Sequence, residues 1–256
     1  MRAVCQQWRL LATGFSFLVF GIGAFVLGLV LVTLVSPWPV AERRKNRWTR
    51  LAIRSFARLY IRMMWLLGLL TFTFRNSSGF RGRGELVVAN HPSLLDAVFL
   101  LAVLPAPCCI VKGALARNPL TSAVIRLAGY IPNDGDGELL MSGAAKVIAR
   151  GETLVIFPEG TRTQRPAELK LRRGAANIAL AARCRIRPVI IQVCPPTLRK
   201  HEPWYQVPET RPCFTLEALD TIAVAEQVDA ERSAGVQARQ LTRHLQTVFQ
   251  ERLQVA

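Results

Sequence analysis

The sequence predicts an α/β fold, a largely parallel sheet with helices on both faces, preceded by an N-terminal hydrophobic membrane helix or helical hairpin. Three observations carry this reading. From residue 86 onward, short apolar runs alternate with longer segments of helical periodicity, the pattern of parallel strands joined by crossover helices. Two of these runs, Leu86-Val87-Val88-Ala89 and Thr153-Leu154-Val155-Ile156, lead directly into polar clusters, as strands do where open α/β sheets carry their sites. Upstream, no charged residue occurs from Leu10 to Val40, a stretch longer than the roughly 20 apolar residues that cross a bilayer.

Residues 1–36 read as the first helix, with the membrane segment at 10–36. A secretory signal competes with this, but its apolar core is ordinarily only about 7–15 residues long and ends in a small-residue cleavage site. Here the run ends instead at Pro37-Trp38-Pro39 and a basic cluster. Arg2 and Arg9 precede the run, whereas Arg43, Arg44, Lys45, Arg47, Arg50, Arg54, Arg58 and Arg62 follow it. The positive-inside rule therefore puts the C-terminal side at the cytoplasmic face of the inner membrane, with the N-terminus outside if the helix spans. A re-entrant or interfacial hairpin would keep both ends inside.

Residues 47–74 read as a basic amphipathic helix, so that 1–74 form a membrane-anchoring region and 75–256 a single α/β domain. The net charge of +16 and the isoelectric point near 10.9 raise the possibility of nucleic acid. The placement of the charge argues against it: Arg50, Arg54, Arg58 and Arg62 recur every four residues on one helical face, beside Leu51, Phe56, Leu59, Met63 and Trp65. Such a face suits anionic membrane lipids, each basic residue contributing about 1 kcal/mol; a solvated basic face is the plainer alternative. No nucleic-acid partner is expected.

Asn76-Ser77-Ser78-Gly79 marks the boundary and Arg81-Gly82-Arg83-Gly84 leads into the sheet. Strands are expected at 86–90, 108–112, 153–157 and 187–193, with a shorter one near 213–217. Helices are expected after Pro92, around 119–128, at 138–150, at 168–183 and at 224–254, the last with Ala234, Ala238, Leu241, Leu245 and Val248 as its packing stripe. The six cysteines show no CxxC pair or regular spacing, and Cys108-Cys109 read as small core residues.

The chemistry concentrates after the two apolar runs, in Asn90-His91-Pro92-Ser93-Leu94-Leu95-Asp96 and in Phe157-Pro158-Glu159-Gly160-Thr161-Arg162. Histidine has the pKa range of a general base, and a carboxylate on its far nitrogen fixes the tautomer and stabilises the imidazolium. His91 and Asp96 supply these parts. Five residues is a poor same-face spacing on a helix, so His91 is expected in a turn, with Asp96 reaching back from the first helical turn and Pro92 opening the helix. The chain's other histidines, His201 and His244, have no such context. In the second cluster, glycine lets backbone amides approach an anion and an arginine fork binds phosphate bidentately.

Together the NHx4D and FPEGTR blocks resemble the signature of the glycerolipid acyltransferase family, the 1-acyl-glycerol-3-phosphate (lysophospholipid) acyltransferases. Weaker matches extend the resemblance over about residues 75–200: Val111-Lys112, Pro119 and Gly129 in the family's order, Arg172-Arg173-Gly174-Ala175, and Arg187-Pro188-Val189-Ile190-Ile191. The resemblance implies that His91 and Asp96 are catalytic. It implies that Glu159, Gly160, Thr161 and Arg162 bind substrate, with Lys112 and Arg172 as further basic groups for an acceptor phosphate. It makes 75–256 an acyltransferase domain and the chain a membrane-bound O-acyltransferase of phospholipid biosynthesis. The donor would be acyl-CoA or acyl carrier protein, and the default acceptor 1-acyl-glycerol-3-phosphate, giving phosphatidic acid.

No metal cluster or dinucleotide loop is visible in the sequence, so no metal and no cofactor is expected. One departure bears on the acceptor. The family's second block usually ends in an arginine, and here Gly129-Tyr130-Ile131-Pro132-Asn133-Asp134-Gly135 has none; Asp134 and Asp136 would repel a phosphate that they faced. That absence favours a different acceptor, such as lyso-ornithine lipid or a specialised lipid product. If the acceptor is lysophosphatidic acid, an arginine introduced at Gly135 is expected to be tolerated or beneficial. A non-catalytic lipid-binding protein is the alternative from another class, and the intact His91 and Asp96 argue against it.

Overall fold

The computed structural model describes residues 2–163 and 169–254. Its strands are β1 (Thr71–Arg75), β2 (Leu86–Ala89), β3 (Cys108–Lys112), β4 (Ile131–Asn133), β5 (Leu154–Ile156), β6 (Ile186–Cys194) and β7 (Cys213–Ala218). They form one seven-stranded sheet in the order β1-β7-β6-β2-β5-β3-β4. Strands β6, β2, β5, β3 and β4 run parallel, and β7 turns back antiparallel to β6 and carries β1 parallel to itself. The helices are α1 (Arg2–Val30, continued by a π-helical turn at Leu31–Val35), α2 (Glu42–Leu66), α3 (Asp96–Val103), α4 (Gly113–Arg117), α5 (Pro119–Ala128), α6 (Gly137–Ala149), α7 (Gly174–Ala182) and α8 (Ala234–Gln254).

The expected fold class is the one that forms. Side chains alternate across each strand, so Val87 and Ala89 of β2 join a core beneath α2 and α3, while Leu86 and Val88 join the core beneath α6, α7 and α8. Both faces of the central strands are thereby dry, which is why their sequences are apolar throughout. The last helix begins at Ala234, later than expected, and buries Phe249 where Val248 was expected to pack. Residue 168 of the helix expected at 168–183 lies outside the described residues; α7 itself covers Gly174–Ala182.

The N-terminal region departs further from expectation. The helix expected at 47–74 runs Glu42–Leu66, and Gly68, at φ +75°, follows its end. Residues 71–75 form the edge strand β1, so the boundary expected at 74/75 falls inside the sheet. Ala57, Tyr60, Ile61 and Met64 give α2 a buried stripe at helical spacing. Helix α1 packs against α2, with Phe20 at 4.9 Å from Tyr60 and 5.7 Å from Phe56 between ring centroids. A Cβ at Gly23 would lie 2.6 Å from the Phe56 ring, so glycine sets how closely the two helices approach.

The arginine stripe is divided: Arg50 is buried and Arg54 half-buried, whereas Arg58 and Arg62 are exposed, and three of the four hold helix ends. Arg50, 4% exposed, donates to the carbonyls of Ala128 and Gly129 at the end of α5 and pairs with Glu152 at 2.6 Å. Arg54 and Arg58 donate to the carbonyls of Ala102 and Val103 at the end of α3. The last turn of a helix leaves carbonyls without intrahelical partners and carries partial negative charge, which a guanidinium satisfies twice over. Of the four, Arg62 alone lacks such a partner among the described residues.

Candidate active site

The parallel strands bring both sequence clusters to one edge of the sheet, because β2 and β5 are neighbours in register, Val88 opposite Ile156. Beyond Ala89, the Asn90 side chain continues the ladder: its amide donates to the Ile191 carbonyl at 2.8 Å and its oxygen accepts from the Ile191 N–H at 2.7 Å. This clamp fixes where the chain leaves the sheet. Residues 91–95 then form a turn, and α3 starts at Asp96 and not at Pro92. The turn is closed by Asp96 itself, whose Oδ2 accepts from the Ser93 N–H at 2.6 Å.

The same Oδ2 lies 2.9 Å from His91 Nδ1. Asp96 is fully buried, whereas the His91 side chain is 20% exposed, so its other nitrogen is the one within reach of a ligand. Asp96 Oδ1 has no hydrogen-bond partner among the described residues. Burial pushes the Asp96 pKa up, opposed by the hydrogen bond and charge of His91, the Ser93 N–H and the charge of Arg162. Phe157 stacks on the His91 ring at 4.4 Å between centroids, so the imidazole is held in plane by the aromatic ring and along its edge by the carboxylate.

Glu159 does not face outward as a ligand. It is 9% exposed, and its Oε1 accepts from the His91 backbone N–H at 2.9 Å and from the Thr163 hydroxyl at 2.6 Å. Thr163 completes a latch, its N–H donating to the His91 carbonyl at 2.7 Å and its Oγ1 lying 3.2 Å from the His91 N–H. Burial raises the Glu159 pKa against these hydrogen bonds. Arg162 Nη1 donates to the carbonyls of Leu198 and Arg199 at 2.8 and 2.9 Å, and the Leu198 carbonyl also accepts from Leu94 N–H, so the loop after β6 joins the site. Gly160, at φ +70°, sits under the Arg172 guanidinium; a Cβ there would meet it at 3.1 Å. The Arg172 N–H in turn bonds the Pro158 carbonyl at 2.9 Å. Thr161 is half-buried in the same turn.

Lys112 ends β3 on the same edge, two strands from β2 and hence about 10 Å to the side. It is exposed and bonds none of the other site residues among those described. The acidic residues expected to repel a phosphate are otherwise engaged. Asp136 caps α6 through the N–H groups of Glu138 and Leu139, and Asp134 pairs with Arg117 at 2.5 Å. Reading the sequence missed Phe157 as a ring partner and Thr163 altogether; the only signals were their positions within and next to the second cluster.

Residues 71–192, just under half of the chain, match the family model described as Acyltransferase. That segment is thus similar to acyltransferases, and it contains both sequence clusters. The 1-acyl-sn-glycerol-3-phosphate acyltransferase alpha of Homo sapiens is 31% identical over 175 residues, covering 66% of this chain and 61% of that protein. The 1-acyl-sn-glycerol-3-phosphate acyltransferase of Cocos nucifera is 28% identical over 182 residues, 68% of this chain and 56% of that one. The chain thus spans less than two thirds of the length of these relatives. A crystal structure of the 1-acyl-sn-glycerophosphate (LPA) acyltransferase PlsC from Thermotoga maritima shares the fold, with a TM-score of 0.73 at 18% identity over 98% of this chain and 97% of that one.

Proposed function

We propose that this chain is a membrane-bound O-acyltransferase that moves a fatty acyl group from acyl-CoA or acyl carrier protein to a lysophospholipid, with 1-acyl-glycerol-3-phosphate as acceptor and phosphatidic acid as product. The observation that carries this is the His91–Asp96 pair at 2.9 Å, its carboxylate buried and its imidazole accessible. Nδ1 keeps its proton on Asp96, which leaves Nε2 to accept the proton of the acceptor's hydroxyl as that oxygen attacks the thioester carbonyl. When the C–S bond breaks, the proton on His91 passes to the departing thiolate. No enzyme nucleophile is needed, because the attacking oxygen belongs to the acceptor. Arg162, Arg172 and the Gly160 turn are the groups proposed to meet the acceptor's phosphate, with Lys112 at the side and Thr161 in the turn; Glu159 serves by positioning His91.

The catalytic machinery is proposed to reside in residues 71–256, with 1–66 as the membrane-binding part, on the cytoplasmic face of the inner membrane. One helix, spanning Gln6–Val35, is long and apolar enough to cross a membrane. A one-leaflet placement is favoured by the contacts at its two ends. Trp8 Nε1 donates to the Leu67 carbonyl at 3.0 Å, Arg9 bonds the Glu209 carbonyl, and the Ser36 carbonyl accepts from Lys45 Nζ at 2.5 Å. Both ends of α1 are thus tied to the rest of the protein, and its outer face presents Leu11, Phe15, Leu18, Ile22, Phe25 and Leu29.

A second acceptor, a lyso-aminolipid such as lyso-ornithine lipid, is favoured by the absence of an arginine in residues 129–135. The test offers several lyso-lipids with both donor types and reads products by mass spectrometry. His91→Ala should lower turnover by about 10²–10⁴-fold, and Asp96→Asn should be nearly as damaging. Near-normal turnover by His91→Ala would sink the mechanism. Acylation of lyso-aminolipids with no reaction on lysophosphatidic acid would change the acceptor and leave the roles of His91 and Asp96 in place.

A further inference from the structure

A groove of about 610 Å³ lies at the opposite edge of the sheet from His91. Arg83, just before β2, and Arg150, just before β5, contribute to it, so it borders the N-terminal ends of the strands whose C-terminal ends carry the catalytic pair. The start of α2 supplies Arg43, Arg44 and Arg47. Arg50 and Glu152 also line it, and their 2.6 Å ion pair, with Arg43 at 3.5 Å, uses up the groove's carboxylate. Among the described residues, the guanidinium groups of Arg44, Arg47, Arg83 and Arg150 hold no hydrogen bond or ion pair. Four guanidiniums without a carboxylate partner line this one groove, and an anion bound among them would gain from all four.

We propose that this groove binds the phosphate headgroup of an anionic bilayer lipid, at a site separate from the acyl-transfer centre. The choice of a lipid rests on where the groove opens. Residues 36–41 join the apolar α1 to the first arginines that line it; this segment exposes Trp38 (57%), and the start of α2 exposes Trp48 (40%), a residue type that settles at the bilayer surface. Basic pockets beside apolar helices on the cytoplasmic side are the usual seats of anionic headgroups. The inference does not depend on which acceptor is acylated, and its test uses binding and not turnover. Arg50, Arg54 and Arg58 take no part, because each is spent on a helix end.

The experiment titrates the full-length protein, in zwitterionic detergent at low salt, with dioctanoyl-phosphatidylglycerol and follows thermal shift and direct binding. Saturable binding is expected, with none for dioctanoyl-phosphatidylcholine. Replacing Arg44, Arg47, Arg83 and Arg150 with glutamine should weaken it about 100-fold, while the charge-matched change of Lys146, Arg185, Arg239 and Arg243 to glutamine should leave it within about twofold. Should the fourfold groove variant fail to fold, the Arg44→Gln, Arg47→Gln double variant at exposed positions should still weaken binding about tenfold. Equal weakening by the groove and charge-matched variants overturns the site in favour of general charge. Inorganic phosphate competing as strongly as the lipid overturns the lipid assignment. Coenzyme A displacing the lipid, with its own binding lost in the groove variant, overturns it in favour of a donor-nucleotide site.

Discussion

Removing the Glu159 carboxylate tests whether this residue binds substrate or holds the histidine in place. In Glu159→Ala the His91 N–H loses its acceptor at 2.9 Å and the Thr163 hydroxyl loses its own at 2.6 Å. A buried donor left unpaired costs about 1–3 kcal/mol. The His91 N–H keeps Thr163 Oγ1 at 3.2 Å as a second acceptor, so the combined loss should come to about 2–4 kcal/mol. At about 2–4 °C per kcal/mol for a chain of this size, Tm should fall by roughly 4–16 °C. The turnover number should fall with it, because the histidine backbone is displaced, whereas the acceptor KM should stay within about threefold. Glu159→Gln keeps an oxygen at the same place and should largely restore both. The pH dependence has a definite sign. Burial raises the folded-state pKa of Glu159, so the stability tied to its titration is fully present below the unfolded carboxyl value and lost as pH rises through the folded one. The glutamine variant, which never ionises, should therefore gain on wild type as pH rises. Melting curves across pH and steady-state kinetics on a soluble short-chain acceptor decide the matter. An alanine variant with unchanged Tm and a strongly raised acceptor KM would mean that the carboxylate faces substrate, and the latch would be wrong.

Arg50→Ala strands Glu152 and the carbonyls at the end of α5, and should destabilise the fold by about 3–5 kcal/mol, read by denaturant unfolding; a loss under about 1 kcal/mol would show the pair to be superficial. Gly135 sits at φ +95°, so Gly135→Arg forces a side chain into a region that glycine alone occupies freely, and should lower stability by about 1–2 kcal/mol without lowering the acceptor KM, contrary to the benefit the sequence suggested. Burial pushes the Cys108 thiol up to about 11 and raises Cys184 as well, whereas Cys194 is exposed. Brief iodoacetamide treatment at pH 8 should mark Cys194 well before Cys108 in peptide maps, since only about one thiol in a thousand is ionised at Cys108; labelling of Cys108 at the rate of Cys194 would contradict its burial.

The contact between His91 and Asp96 was legible because it is carried by residue type and spacing: a histidine and a carboxylate five apart, after a strand, have few arrangements that bring them together. What surrounds the pair was not. Asn90 and Thr163 act through backbone groups of distant residues, and nothing in their spacing shows that Ile191 or His91 will be the partner. Glu159 was read as a ligand because a carboxylate in a polar motif is ordinarily exposed, and only packing reveals that it turns inward. Strand β1 does show alternation in Thr-Phe-Thr-Phe, yet it follows an amphipathic helix with only Gly68 as a stop signal. Strand β4 has three residues, one of them Pro132, which is too little for any periodicity.

Arginines recurring every four residues along a helix are ambiguous for a physical reason. A membrane surface and the carbonyl ends of packed helices both present negative charge along one helical face, so the same spacing serves either. What lies opposite decides, and opposite α2 lie the ends of α3 and α5. This ties the N-terminal helices to the chemistry more closely than an anchor would be. Arg54 and Arg58 grip the last turn of α3, and the first residue of that short helix is Asp96. Eight residues of helix span about 12 Å, so α2 holds the far end of the short element whose first residue, Asp96, bonds His91. The basic groove borders the same stretch of α2 from its other end. On the proposed reading, lipid bound there would hold α2 against the sheet while the apolar face of α1 sits in the bilayer, and the helices proposed to bind the membrane would also keep the Asp96 carboxylate in place.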